Sequence, residues 1–157
     1  MGLKKVVEKR LRYDITANSL AETQAFAKKF AAELRPGDVL ALYGDLGAGK
    51  TLLVKAICRA LHTDEEPTSP TFTIINEYHA PDDLLVYHFD FYRIEHSEEL
   101  VNLGLEEYFY NAHICFIEWP EKIAGHLPPT HYDIHLTFVE NQPQARKIRV
   151  YRSDNPR

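Results

Sequence analysis

Tyr43-Gly44-Asp45-Leu46-Gly47-Ala48-Gly49-Lys50-Thr51 is the stretch that decides how this chain is built. It fits the phosphate-binding loop pattern of glycine, four residues, then Gly-Lys-Thr. It follows a short apolar run, Val39 to Tyr43, and precedes a helical one, Leu52 to Leu61. Glycines at 44, 47 and 49 let successive backbone N–H groups converge on phosphate oxygens, and the helix that follows points its positive end at the same anion. Asp45, Leu46, Gly47, Ala48, Gly49, Lys50 and Thr51 are therefore the expected nucleotide contacts. Lys50 would neutralise the β- and γ-phosphates, and Thr51 would offer its hydroxyl to Mg²⁺. A glycine-rich turn that binds nothing is the alternative, and the agreement of pattern, strand and helix speaks against it.

Upstream, Leu11, Tyr13 and Ile15 alternate with charged residues as a half-buried strand does. Ser19 with Glu22 forms a capping-box start, and Phe26, Ala27, Phe30, Ala31 and Leu34 give the next helix one apolar face, ended by Pro36-Gly37. The five apolar residues before the loop predict a strand buried on both faces.

Downstream, the polar segment 63–73 contains Thr68-Ser69-Pro70-Thr71-Phe72. It lies where P-loop proteins keep a γ-phosphate sensor, although such a cluster alone reads only as a loop. Strands over Ile74 to His79 and Leu84 to Phe91 are joined by a turn too short for anything but antiparallel pairing, so the sheet is mixed. Ser97 caps a short acidic helix, Gly104 breaks it, and Leu105 to Tyr110 adds another turn or two.

Asp90 and Glu118 each end an apolar strand, the position from which a P-loop protein holds Mg²⁺ or its attacking water. Which acid does which is open at this level, and each could instead cap or pair with Arg93. Trp119 is either a core-edge aromatic or a contact for nucleotide or partner. Tyr132 to Glu140 and Ala145 to Tyr151 predict a closing hairpin around Asn141-Gln142-Pro143, with Ser153 to Arg157 frayed. The expected architecture is one α/β P-loop domain over residues 1–157, a mixed central sheet with flanking helices and antiparallel hairpins.

Composition supports one globular domain. No apolar run approaches the roughly 20 residues that cross a membrane. Met1 to Val6 shows neither a signal-peptide core nor a myristoylation pattern, so a cytoplasmic location without membrane contact is expected. Cys58 and Cys115 read as core residues, and His131 and His135 lie in a strand pattern that separates them along one face.

Charge is uneven: residues 64–121 hold fourteen acids and the single base Arg93, while residues 1–12 and 143–157 each hold five Lys/Arg against one acid. The acidic centre repels nucleic acid, and it serves either as a solvated face or as a docking surface.

The set GDLGAGKT, SPTF, HFDFYR and IEWPE, in this order in so short a chain, resembles the TsaE (YjeE) family over about Val39 to Leu127. Leu52 stands where many members have a second Thr or Ser. The resemblance implies a small ATPase required for threonylcarbamoyladenosine in tRNA, acting with the TsaD–TsaB heterodimer, with tRNA met through that complex. It also implies Thr51 and Glu118 as Mg²⁺ ligands, Asp90 in support of hydrolysis, Thr68 to Phe72 as a switch-like segment, and adenine near Ser19 and Thr23.

The absence of an Asn/Thr-Lys-x-Asp element favours ATP over GTP. Arg93 is the one candidate for an arginine acting in cis, so hydrolysis by the chain alone is expected to be slow. Two other functions stay open. A small-molecule kinase would use Asp90 as base but would want an Arg-rich lid. A nucleotide-gated binding module would hydrolyse ATP only incidentally.

Overall fold

The computed structural model describes residues 8–68, 74–96 and 98–154. β1 (Glu8–Ala17) and α1 (Leu20–Ala31) lead to β2 (Val39–Tyr43), from which the glycine loop opens into α2 (Lys50–Ala60). β3 (Ile75–His79) and β4 (Leu85–Asp90) follow, then two short helices, α3 (Glu98–Val101) and α4 (Leu105–Phe109). β5 (Ile114–Glu118), a 3-10 segment (Pro120–His126), β6 (His131–Val139) and β7 (Gln142–Asp154) complete the chain.

The seven strands form one sheet in the order β1-β7-β6-β2-β5-β4-β3. β2 runs parallel to β5 and β6, and β4 runs parallel to β5. Antiparallel pairs close both sides: β3 on β4, and β7 between β6 and β1. The mixed sheet expected from the short turn after β3 is the one observed.

The apolar run of β2 is buried on both faces because each face carries its own core. Leu40 and Leu42 pack with α1 and α2, while Val39 points to the opposite face with Phe89, Leu105, Phe109 and Ile123. α1 starts where expected: Ser19 Oγ accepts the Glu22 N–H at 3.2 Å, and the Glu22 carboxylate accepts the Asn18 N–H. Phe26 and Phe30 stack at 5.8 Å, Tyr13 meets both edge-on, and Phe30 meets Tyr132 at 5.2 Å. These rings fasten α1 across β1 and β6 and bury Thr23 beside them.

Two expectations are corrected at the C-terminal side. The chain does not fray from Ser153, because β7 is paired on both sides there: Ser153 faces His131 of β6 and Lys9 of β1, and Asp154 faces Glu8. Residues 155–157 lie outside the described residues. The closing turn is also tighter than predicted. Val139 pairs with Gln142, so Glu140 and Asn141 alone make it, with Asn141 at φ 60°. Pro143 to Ala145 are then passed over in the register before Phe138 meets Arg146, a bulge in which the missing proline N–H costs no ladder bond.

Asp133 of β6 is fully buried, and burial works to raise its carboxyl. The hydrogen bonds of His131 at 3.0 Å and Lys9 at 2.9 Å outweigh that and hold it below the usual carboxylate range. The expected cap at Ser97 lies outside the described residues.

Candidate nucleotide-binding site

The loop closes because α2 begins at a glycine in the left-handed region, Gly49 at φ 101°. The first-turn N–H groups of such a helix have no intrahelical acceptor, an arrangement suited to an anion. Gly44 is needed for a different reason: a Cβ there would lie 2.8 Å from the Leu136 carbonyl oxygen and 3.1 Å from the Ala48 Cβ. Gly44→Ala is therefore expected to cost about 1–3 kcal/mol, read as a lower denaturant midpoint. An unchanged midpoint would mean that β6 yields.

Strand order brings in the acids. β5 lies beside β2, so Glu118 at its end reaches Thr51 at the start of α2: Oγ1 is 3.0 Å from Oε1 and 3.1 Å from Oε2. β4 lies beside β5 with Asp90 opposite Glu118. The Asp90 Oδ1 accepts the Tyr92 N–H at 3.0 Å. Behind them His88, on the same face of β4 as Asp90, is fully buried with Nε2 2.5 Å from Glu118 Oε2. His88 is not among the site residues expected from sequence, although its two-residue spacing from Asp90 was the available signal.

Lys50 is 5% exposed. Its Nζ donates to the Gly44 carbonyl at 2.7 Å and lies 3.8 Å from the centre of the Trp119 ring. Burial pushes its pKa down, against the opposing pull of Glu118, Glu121, Asp90 and Asp45. Trp119 adopts φ 58°, costly for a bulky residue, and packs on Tyr92 at 5.0 Å.

Burial holds the Asp90 carboxyl above the usual range; the Tyr92 N–H opposes this and the Glu118 charge adds to it. The carboxylate form is thus disfavoured in the folded state. The penalty acts above the folded pKa and vanishes as pH falls below the ordinary carboxylate value of about 3.9. Asp90→Asn is expected to raise the Tm of the nucleotide-free protein by about 1–3 °C at neutral pH, since solvent at this half-buried group screens the effect to below about 1 kcal/mol. The gap between variant and parent should close on acidification, and a widening gap would contradict this account.

Two clefts flank the loop and share Gly49 and Leu52. One, of about 260 Å³, is lined by Gly47, Lys50, Thr51, Asp90, Glu118 and Trp119 among others. The second, of about 270 Å³, lies between α1, the loop and the β6–β7 hairpin, lined by Leu20, Thr23, Ala48, Leu136, Pro143 and Arg146 among others. A larger groove of about 540 Å³ between α1 and α2 contains no loop residue. Chemistry rather than size marks the site.

The family profile described as threonylcarbamoyl adenosine biosynthesis protein TsaE matches residues 17–148. The chain belongs to the TsaE family. It is similar to the tRNA threonylcarbamoyladenosine biosynthesis protein TsaE of Bacillus subtilis (strain 168), 49% identical over 108 residues that span 68% of this chain and 66% of that protein. The protein of that name from Rickettsia typhi is 38% identical over 135 residues, 85% of this chain and 92% of its own length. The crystal structure of Bacillus subtilis YdiB superposes with a TM-score of 0.73 at 35% identity, covering 96% of this chain and 89% of that one.

Within this TsaE-family chain, Asp45 to Thr51 form the loop, and Lys50, Thr51, Asp90, Glu118 and Trp119 converge on one cleft. Thr23 lines the second cleft, whereas the Ser19 hydroxyl accepts the Glu22 N–H and caps α1. Thr68 is held through its N–H and carbonyl by the Tyr78 hydroxyl and through its carbonyl by Asn76; Ser69, Pro70 and Thr71 lie outside the described residues. Arg93 is exposed and does not line the cleft shared by Lys50 and Glu118.

Arg146, unmarked by any motif, reaches the loop from β7: Nε donates to the Ala48 carbonyl at 2.8 Å, and the guanidinium stacks 4.7 Å from the Phe138 ring centre. Among the described residues no three His, Cys, Asp or Glu side chains gather to hold a metal by themselves. The hydroxyl of Thr51 and the carboxylate of Glu118 are hard oxygen donors of the kind Mg²⁺ takes, so the residues would fit that ion if phosphate and water supplied its other ligands. No described helix is long and apolar enough to cross a membrane.

Proposed function

We propose that the chain binds and hydrolyses ATP with Mg²⁺ as a subunit of the system that makes threonylcarbamoyladenosine in tRNA, acting with a TsaD–TsaB heterodimer to drive or reset its turnover. The observation that carries this reading is the Thr51–Glu118 contact, 3.0 Å and 3.1 Å, beside Lys50 at the N-terminus of α2 in a member of the TsaE family.

Thr51 and Glu118 would hold Mg²⁺, which when bound supplies charge neutralisation at the β- and γ-phosphate oxygens. Lys50 exchanges the Gly44 carbonyl and the Trp119 ring for phosphate oxygens, keeping its charge in a site where burial strengthens electrostatics. Asp90 faces the same cleft and orients the attacking water. Adenine occupies the second cleft against Leu20, Thr23 and Leu136, with the flat guanidinium of Arg146 at its wall.

Lys50 is the one cation among the described residues that line the phosphate cleft, which supports slow turnover by the chain alone and counts against a kinase with an Arg clamp. Leu46, Leu52 and Tyr92 are 72%, 44% and 51% exposed around the mouth, an apolar rim on which a partner would exclude water and add positive charge. The tRNA is met through that partner complex.

The test is the ATP hydrolysis rate of the pure chain with and without equimolar TsaD–TsaB. A rate well above the isolated value supports the reading. An unresponsive rate withdraws the partner assignment and leaves the nucleotide site standing.

A further inference from the structure

We propose that His88 is a positioning residue for Glu118, a role that rests on the nucleotide and Mg²⁺ reading of the site. His88 is fully buried in β4, its Nε2 is 2.5 Å from Glu118 Oε2, and its Nδ1 is buried with no hydrogen-bond partner among the described residues. A carboxylate oxygen accepts, so the ring nitrogen that faces Glu118 donates as Nε2–H.

An orphaned polar atom in a strand core costs stability and calls for a reason. Asn76 and Phe116 stand opposite His88 on the neighbouring strands, and neither directs the Glu118 carboxylate. The Nε2–H does. Clamped at Oε2, the carboxylate cannot rotate away from the α2 N-terminus, and Oε1 stays 3.0 Å from Thr51 Oγ1, the edge at which Mg²⁺ would bind. Glu118 thereby enters the site with one orientation instead of several, and the metal does not have to order it.

Two experiments test this. In the nucleotide-free protein without metal, ¹⁵N shifts of the His88 ring should report the Nε2–H tautomer, and an Nδ1–H tautomer would overturn the assignment. In the second, His88→Gln keeps a donor near the Nε2 position, and His88→Met removes it at similar volume. The Mg²⁺ concentration that half-saturates tightening of ATP binding, followed by calorimetry, should rise about 10–100-fold in His88→Met and return most of the way in His88→Gln. ADP binding without Mg²⁺ should be equal in all three proteins. If both variants lose thermal stability alike while the Mg²⁺ half-point stays put, His88 is a packing residue and the proposal fails. If the parent protein shows no Mg²⁺-dependent ATP binding, the nucleotide reading falls, and the tautomer measurement still judges the His88–Glu118 contact on its own.

Discussion

Lys50→Ala is expected to lower ATP turnover by about 10³-fold, the loss typical when one preorganised charge donor is removed from a water-poor site. In the parent the ammonium is nearly inaccessible, held between the Gly44 carbonyl and the Trp119 ring within reach of Asp90 and Glu118. Among the described residues no other residue lining this cleft carries a positive charge, so nothing there substitutes for it. The measurement is steady-state phosphate release, with thermal unfolding of the variant as control. Trp119 is the single tryptophan, and its emission should shift when the cation leaves its ring. Turnover equal to the parent's would reject the phosphate-binding assignment of the loop.

Glu118→Gln is expected to reduce turnover by about 10²-fold, or about 2.7 kcal/mol in the barrier. The amide keeps the volume of a residue that is 3% exposed. It replaces one acceptor oxygen with a donor and removes the charge that would pair with Mg²⁺. Nucleotide binding in the absence of Mg²⁺ should persist, because the backbone cradle and Lys50 are untouched. The same variant separates an ATPase from a nucleotide-gated binding module. Loss of threonylcarbamoyladenosine in cells carrying it supports the ATPase reading, whereas full modification would mean that hydrolysis is incidental.

These two residues were legible before any coordinates because their chemistry is local. Five apolar residues, a glycine-rich stretch and then Gly-Lys-Thr read as a strand, a tight loop and a helix start, and an acid closing an apolar run reads as a strand end. His88 and Arg146 were not legible in the same way. His88 lies among the aromatic and acidic residues of its strand, and nothing in its neighbours in sequence says that β5 will bring Glu118 against it. Arg146 is one of several bases near the chain end, and only the β7 bulge aims it at the carbonyl of Ala48, ninety-eight residues earlier.

The choice between the two acids shows the division most clearly. Asp90 and Glu118 are equivalent as text, each an acid after an apolar strand. Strand order makes them unequal: β5 neighbours β2 and puts Glu118 on Thr51, whereas β4 is one strand further out and leaves Asp90 half-buried in the cleft.

Residue spacing within about ten positions already specifies the loop, the strands and helices that carry it, the mixed character of the sheet and the set of candidate side chains. The strand order, the pairing of β7 through Asp154 and the partners of Glu118 emerge only in the folded sheet. Those depend on contacts between residues tens of positions apart, where burial of two opposed cores selects the arrangement and no local propensity records it.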